Sequence, residues 1–315
     1  MLRITCFCIL IGCAILLLMC PAGVIAETEM AEVPEARKPW SGHWWPKQKG
    51  ELVNGYSVRD HAAPVEKYDA YVSGYYPGPA TQAATPIVYD PDAETNWTGF
   101  CDEWAAASIL EPEPDTEGDL NGIRFRVGDK KGLLTLHYNN NYQFKIYGER
   151  YNDASDDPDD IYPKDFHQIL RSYINTQGLP IIMDLDPKGA VWNYPAYKYE
   201  MEWTDAGGWR TVECTVWFAD DNLNSPDYPE SPDDPDPKEY IQTFKYRLAL
   251  GPNGELIDAP GEWLVPSDEN APVHPDFMWF PETFLDEEPL LERDKLDAIL
   301  NSTIDAGTDE PSEEN

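Results

Sequence analysis

The stretch that decides the fold reads Asn96-Trp-Thr-Gly-Phe-Cys101-Asp-Glu-Trp-Ala-Ala-Ala-Ser-Ile-Leu110. From Asp102 to Leu110 it favours helix, and Pro112 and Pro114 end the run. Cys101 therefore stands where a helix begins, and free amide N–H groups there favour a thiolate. Gly99 permits a tight approach that leaves the Cys101 N–H available to hold an oxyanion. The alanines let such a helix lie close on a sheet. This pattern points to a nucleophilic thiol; the plainer alternatives are a structural cysteine or a disulfide with Cys214.

The rest of the chain sets the context for that thiol. Met1-Leu-Arg3 precedes an apolar run from Ile4 to Met19, and Pro21-Ala-Gly-Val-Ile-Ala26 follows. These features describe a secretory signal peptide over residues 1–26, cleaved after Ala26, with an uncleaved anchor as the competing reading. Cys6, Cys8, Cys13 and Cys20 leave with it, so only Cys101 and Cys214 remain. A chain this long with one possible disulfide must fold on a hydrophobic core. The expected location is extracellular, or periplasmic in a Gram-negative source. No stable membrane insertion is expected after cleavage.

The chain carries 58 acidic and 23 basic residues, net −35, so nucleic acid and anionic membranes are excluded as expected partners. Its 11 Trp, 18 Tyr and 10 Phe argue against disorder. Residues 27–38 are polar and read as a disordered leader. Trp40-Ser-Gly-His-Trp-Trp-Pro46 is an aromatic cluster, and residues 47–95 alternate short apolar pieces with Pro and Gly, an irregular wrapping section. Ile123–Val127 alternates as a strand should, and Leu133–Tyr138 is a second short segment of the same kind. Phe166–Ile174 fits either a helical stripe or a buried strand. Leu179–Met183, Ala190–Asn193, Trp209–Ala219 and Tyr240–Leu250 read as strands, with Glu255–Ile257 after a hairpin turn. Residues 220–239 form a solvated loop. One early helix followed by several strands predicts an α+β fold. The expected division is 1–26 signal, 27–95 N-terminal section, 96–281 catalytic domain and 282–315 acidic tail holding one helix.

A thiol nucleophile needs a base, and the base an orienting group. The histidines are His43, His61, His137, His167 and His274. His43, His61 and His137 read as structural or surface groups. His167 opens an apolar element, and the strand ending in Asp184 follows it. Cys on a helix, then His, then an acid on a strand is the papain-like order, with Asn193 as an alternative orienter. His274, in His-Pro-Asp276, competes with His167 for the role of base. The acidic run 152–160 invites a calcium reading but lacks EF-hand spacing, and a charge run is usually just solvated. Asn96-Trp-Thr98 and Asn301-Ser-Thr303 fit the glycosylation pattern.

Val191-Trp-Asn-Tyr-Pro-Ala-Tyr-Lys-Tyr-Glu-Met-Glu-Trp203 resembles the surface elicitor segment of the transglutaminase elicitor family of oomycetes and bacteria. Trp97, Gly99 and Cys101 match that family's helix start. Phe166-His167, Met183-Asp184 and His274–Phe277 with Trp279 match further motifs in the same order. The chain departs from the family at Phe100, where His is frequent, and at Glu103, where Gly is common. The resemblance implies a papain-like thiol core and γ-glutamyl transfer. Cys101 would be the nucleophile, His167 the base and Asp184 the orienter, with glutamine and lysine side chains of proteins as substrates. It also implies an activity associated with calcium, without placing a site. Trp192, Asn193 and Pro195 would form the wall of the site or an exposed turn beside it. A thiol peptidase or deamidase on the same core is the second reading. A non-catalytic Trp-rich binding protein, with Cys101 bonded to Cys214, is the third.

Overall fold

The structure is a computed structural model. It describes residues 26–57, 62–93, 95–149, 161–185, 190–221, 226–227, 239–265, 273–285 and 290–304. Residues 1–25 of the signal segment, His61 and the acidic run 152–160 lie outside the described residues.

Among the described residues there are ten strands and seven α-helices. The strands are β1 (Glu27–Glu32), β2 (Gly118–Leu120), β3 (Ile123–Phe125), β4 (Tyr142–Tyr147), β5 (Ile181–Asp184), β6 (Asn193–Ala206), β7 (Trp209–Ala219), β8 (Glu239–Ala249), β9 (Glu262–Leu264) and β10 (Met278–Phe284). The helices are α1 (Glu51–Asn54), α2 (Pro64–Ser73), α3 (Pro79–Val88), α4 (Cys101–Leu110), α5 (Val127–His137), α6 (Pro163–Leu170) and α7 (Arg293–Leu300). One antiparallel sheet runs β4-β10-β5-β6-β7-β8-β9, with β1 pairing the part of β6 that extends beyond β5. The β2–β3 hairpin stands apart. The α+β layout with a helix on an antiparallel sheet is thus the observed one.

Two cores divide the interior. The first gathers Trp40, Trp45, Trp104, Leu133 and Leu134 from α4, α5 and the N-terminal section, closed by Leu291, Leu296 and Ile299. The second packs α6 on the other part of the sheet through Phe166, Tyr199, Val216, Phe244 and Tyr246. Cys101 is at the start of the helix over the first core, whereas Cys214 is wholly buried in the second.

Several expectations need correction. Residues 27–38 are not a disordered leader: β1 pairs β6 from Glu27 opposite Trp203 to Glu32 opposite Lys198. Glu29 ties it down by bonding Arg171 and Tyr199, contacts too distant in sequence for local reading. Residues 47–95 hold three helices, because Pro64 and Pro79 occupy first helical positions, where proline is tolerated. Leu133–Tyr138 is not a strand but the end of α5, all of whose residues are buried. A helix buried on every side shows no 3.6-residue period. Asp129 starts it by accepting the Arg126 N–H at 2.7 Å. Phe166–Ile174 is helical, with α6 continuing into a π-helical turn, Arg171–Gln177. Glu255–Ile257 contributes only the bridge Leu250–Leu256. Strand β10 runs past residue 281, and α7 beyond it packs into the first core.

Candidate active site

Cys101 is the first residue of α4 and lines a cleft of about 510 Å³. Trp44 sets its approach: the Trp44 carbonyl accepts the Phe100 N–H at 2.7 Å. A Cβ on Gly99 would come within 2.5 Å of that carbonyl oxygen and 2.6 Å of the Trp44 ring. Gly99→Ala should therefore lower stability by about 1–3 kcal/mol, the usual range for overpacking. Thermal melting checks this; an unchanged midpoint would show that the close approach does not constrain the segment.

The thiol donates toward the Val191 carbonyl at 3.6 Å and receives the Asn193 side-chain N–H at 3.5 Å. The Trp279 indole N–H donates to Asn193 Oδ1 at 2.8 Å, which fixes the amide with its nitrogen toward sulfur. Asp184 lies opposite Asn193 in the β5–β6 register and accepts the Trp192 N–H at 2.8 Å. It thus anchors Trp192 beside Asn193. Sequence reasoning gave Asn193 a place beside a histidine; the structure places it on the Cys101 sulfur.

The structure does not bring His167 to Cys101. His167 lies on α6 in contact with the second core, with Nδ1 bonded to the Tyr246 hydroxyl at 2.8 Å. Burial lowers its pKa to about 4, so the ring is neutral near pH 7. His274 stacks on Trp263, and His137 on Phe284. His43 bonds Glu51. None of these four described histidines lines the Cys101 cleft.

The thiol is not the depressed one expected at a helix start. Burial, Asp102 and Asp221 push its pKa well above the usual value, and the Asn193 bond only partly opposes them. Asp221 follows the end of β7 and is fully buried. Burial, reinforced by Asp220, raises its carboxyl to about 7. Tyr194 couples electrostatically to both Asp221 and Cys101. Sequence reasoning missed Asp221; the signal available was an acid pair, Asp220-Asp221, directly after the clearest strand.

A second cleft of about 450 Å³ is walled by Trp44, Trp97, Trp192, Tyr194 and Tyr240, and Trp97 lines both clefts. Residues 193–203, expected as a surface segment, instead form much of the central strand β6, with Tyr197, Tyr199 and Met201 buried. Both described cysteines, Cys101 and Cys214, are free and buried. Among the described residues no group of three His, Cys, Asp or Glu could hold a metal ion, and no helix is long and apolar enough to cross a membrane.

A free cysteine opens a helix over an antiparallel sheet, with an amide donor aimed at its sulfur. Residues 93–221 match the transglutaminase elicitor family, so the resemblance drawn from the sequence holds over the segment carrying Cys101, Asp184 and Asn193. The fold is similar to the crystal structure of the GP42 transglutaminase from Phytophthora sojae. That match has TM-score 0.67 at 20% identity, covering 86% of this chain and 90% of that one. No curated protein matches the chain.

Proposed function

We propose that the protein is a secreted protein-glutamine γ-glutamyltransferase acting through a thioester on Cys101. The observation that carries this reading is the Asn193 amide on the Cys101 sulfur, locked by Trp279, at the wall of an open cleft. Secretion rests on the signal-like residues 1–26. The acidic run 152–160 stays the candidate for calcium, and no step below passes through a metal.

In this reading Asp221, rather than His167, takes the thiol proton, with the Tyr194 hydroxyl as relay. The sulfur bonds to the glutamine carboxamide carbon, whose oxygen becomes an oxyanion. The Asn193 amide and the Cys101 N–H, first of an α-helix without a side-chain cap, stabilise that charge. The C–N bond then breaks, and ammonia leaves with the proton held by Asp221. A lysine amine attacks the thioester, the S–C bond breaks, and the thiol regains a proton. This differs from the papain-like order expected from the sequence, since an acid takes the place of the imidazole.

Mass analysis of a glutamine-containing protein, treated with enzyme and a primary amine, tests this. An amine adduct on glutamine is the expected product. Conversion to glutamate alone supports a deamidase, chain cleavage a peptidase, and no product a non-catalytic protein.

A further inference from the structure

The cleft beside Cys101 has two chemically different walls. One is the face of β4, where Tyr142, Phe144 and Ile146 alternate along the strand and line the cleft. Phe144 is 54% exposed and Ile146 43%, which is unusual for large apolar side chains beside a reactive group. Among the described residues only β10 pairs with β4, so this is the end strand of the sheet. Tyr142 stacks on Trp279 and Phe144 meets it edge-on, holding the ledge rigid.

The other wall is the first turn of α4. Asp102 accepts the Tyr142 hydroxyl at 3.3 Å, and Glu103 lines the same cleft with only 7% of its surface exposed. Glu103 Oε2 has no hydrogen-bond partner among the described residues. Burial and the neighbouring Asp102 raise the Glu103 carboxyl well above the usual carboxylate range. Lys47, whose ammonium sits 5.0 Å over the Phe100 ring, is the one cation among the described lining residues. With one lysine facing two acids, only one carboxylate can be paired there. A bound guanidinium or ammonium would pair with Asp102 and favour the ionised form of Glu103.

We infer that this cleft takes the glutamine donor as an extended peptide, with an apolar side chain on the Phe144–Ile146 ledge and an arginine or lysine against Asp102 and Glu103. Alternate side chains of an extended chain point to opposite sides, which suits one ligand meeting both walls. The net charge of −35 attracts basic segments to the protein generally. The inference rests on the acyl-transfer reading for the word donor, and on the cleft alone for the peptide chemistry.

The test uses the full chain carrying Cys101→Ala and short fluorescent peptides with a central glutamine, followed by anisotropy. A peptide with leucine and arginine flanking the glutamine should bind about tenfold more tightly than versions with serine for leucine or glutamate for arginine. Phe144→Ser with Ile146→Ser should erase the leucine preference and leave the arginine preference. Asp102→Asn with Glu103→Gln should do the reverse. If that second pair fails to fold, raising the salt concentration should weaken the arginine peptide and narrow its advantage over the glutamate-for-arginine version. Equal binding of all peptides, or preferences indifferent to these variants, overturns the inference. Selective binding without turnover by the unmutated chain overturns the acyl-transfer reading and leaves the cleft assignment standing.

Discussion

Cys101→Ala reduces amine incorporation into protein glutamine by at least about 10³-fold, the loss expected when a covalent nucleophile is removed. The residual rate comes from binding and from the Asn193 amide, which survive the substitution. Folding should survive too, since the thiol is neutral and small and its removal leaves a gap at the edge of an open cleft. Cys214→Ala is the internal control. Cys214 is wholly buried in the second core, and Glu29 there helps raise its pKa, so it has no route to substrate. Rates measured on both variants at matched thermal stability decide the matter. A Cys101→Ala protein that incorporates amine normally ends the proposal, whatever the likeness of fold.

How far that nucleophile could be read from sequence differs from how far its partners could. The helix start at Cys101 was legible because its signals are local: a glycine, a cysteine and an alanine-rich helix within one short window. Strands β7 and β8 were legible for the same reason, since alternation shows in a single segment. The choice of His167 failed because chain order was taken as spatial order. Helix α6 does follow Cys101 and precede β5, yet it packs on the opposite part of the sheet with Tyr246. Asn193 reaches the sulfur only because Asp184 and Trp279, from β5 and β10, hold the start of β6 in place. No sequence window contains those three residues. The misreading of α5 has a different cause. Its lysines are buried, with Lys130 donating to the Ser302 carbonyl and Lys131 to Glu113, so polarity there does not mark a solvent face.

Asp221→Asn is expected to do two opposite things at once. As the proton acceptor in the proposed mechanism, Asp221 must be ionised, so kcat/KM of the unmutated protein should rise with pH through about 7. The asparagine variant should lose that limb, and about 10²–10⁴-fold of rate with it. Stability moves the other way. The folded pKa lies above the unfolded one, so the carboxyl favours the fold only while protonated, and that advantage is fully present below the unfolded value. It declines as pH rises through about 7, leaving a penalty of at most about 4 kcal/mol relative to low pH. Asparagine carries no charge to bury, so the variant should melt higher at pH 8 and show little gain at pH 4. Part of the gain is lost if the new amide finds fewer partners than the carboxyl. A melting temperature that falls at pH 8 would mean the carboxylate is held comfortably in its site. A pH limb that persists in the variant would move the base elsewhere. A variant that is both slower and more stable would instead show strain retained at Asp221 because the chemistry of Cys101 needs it.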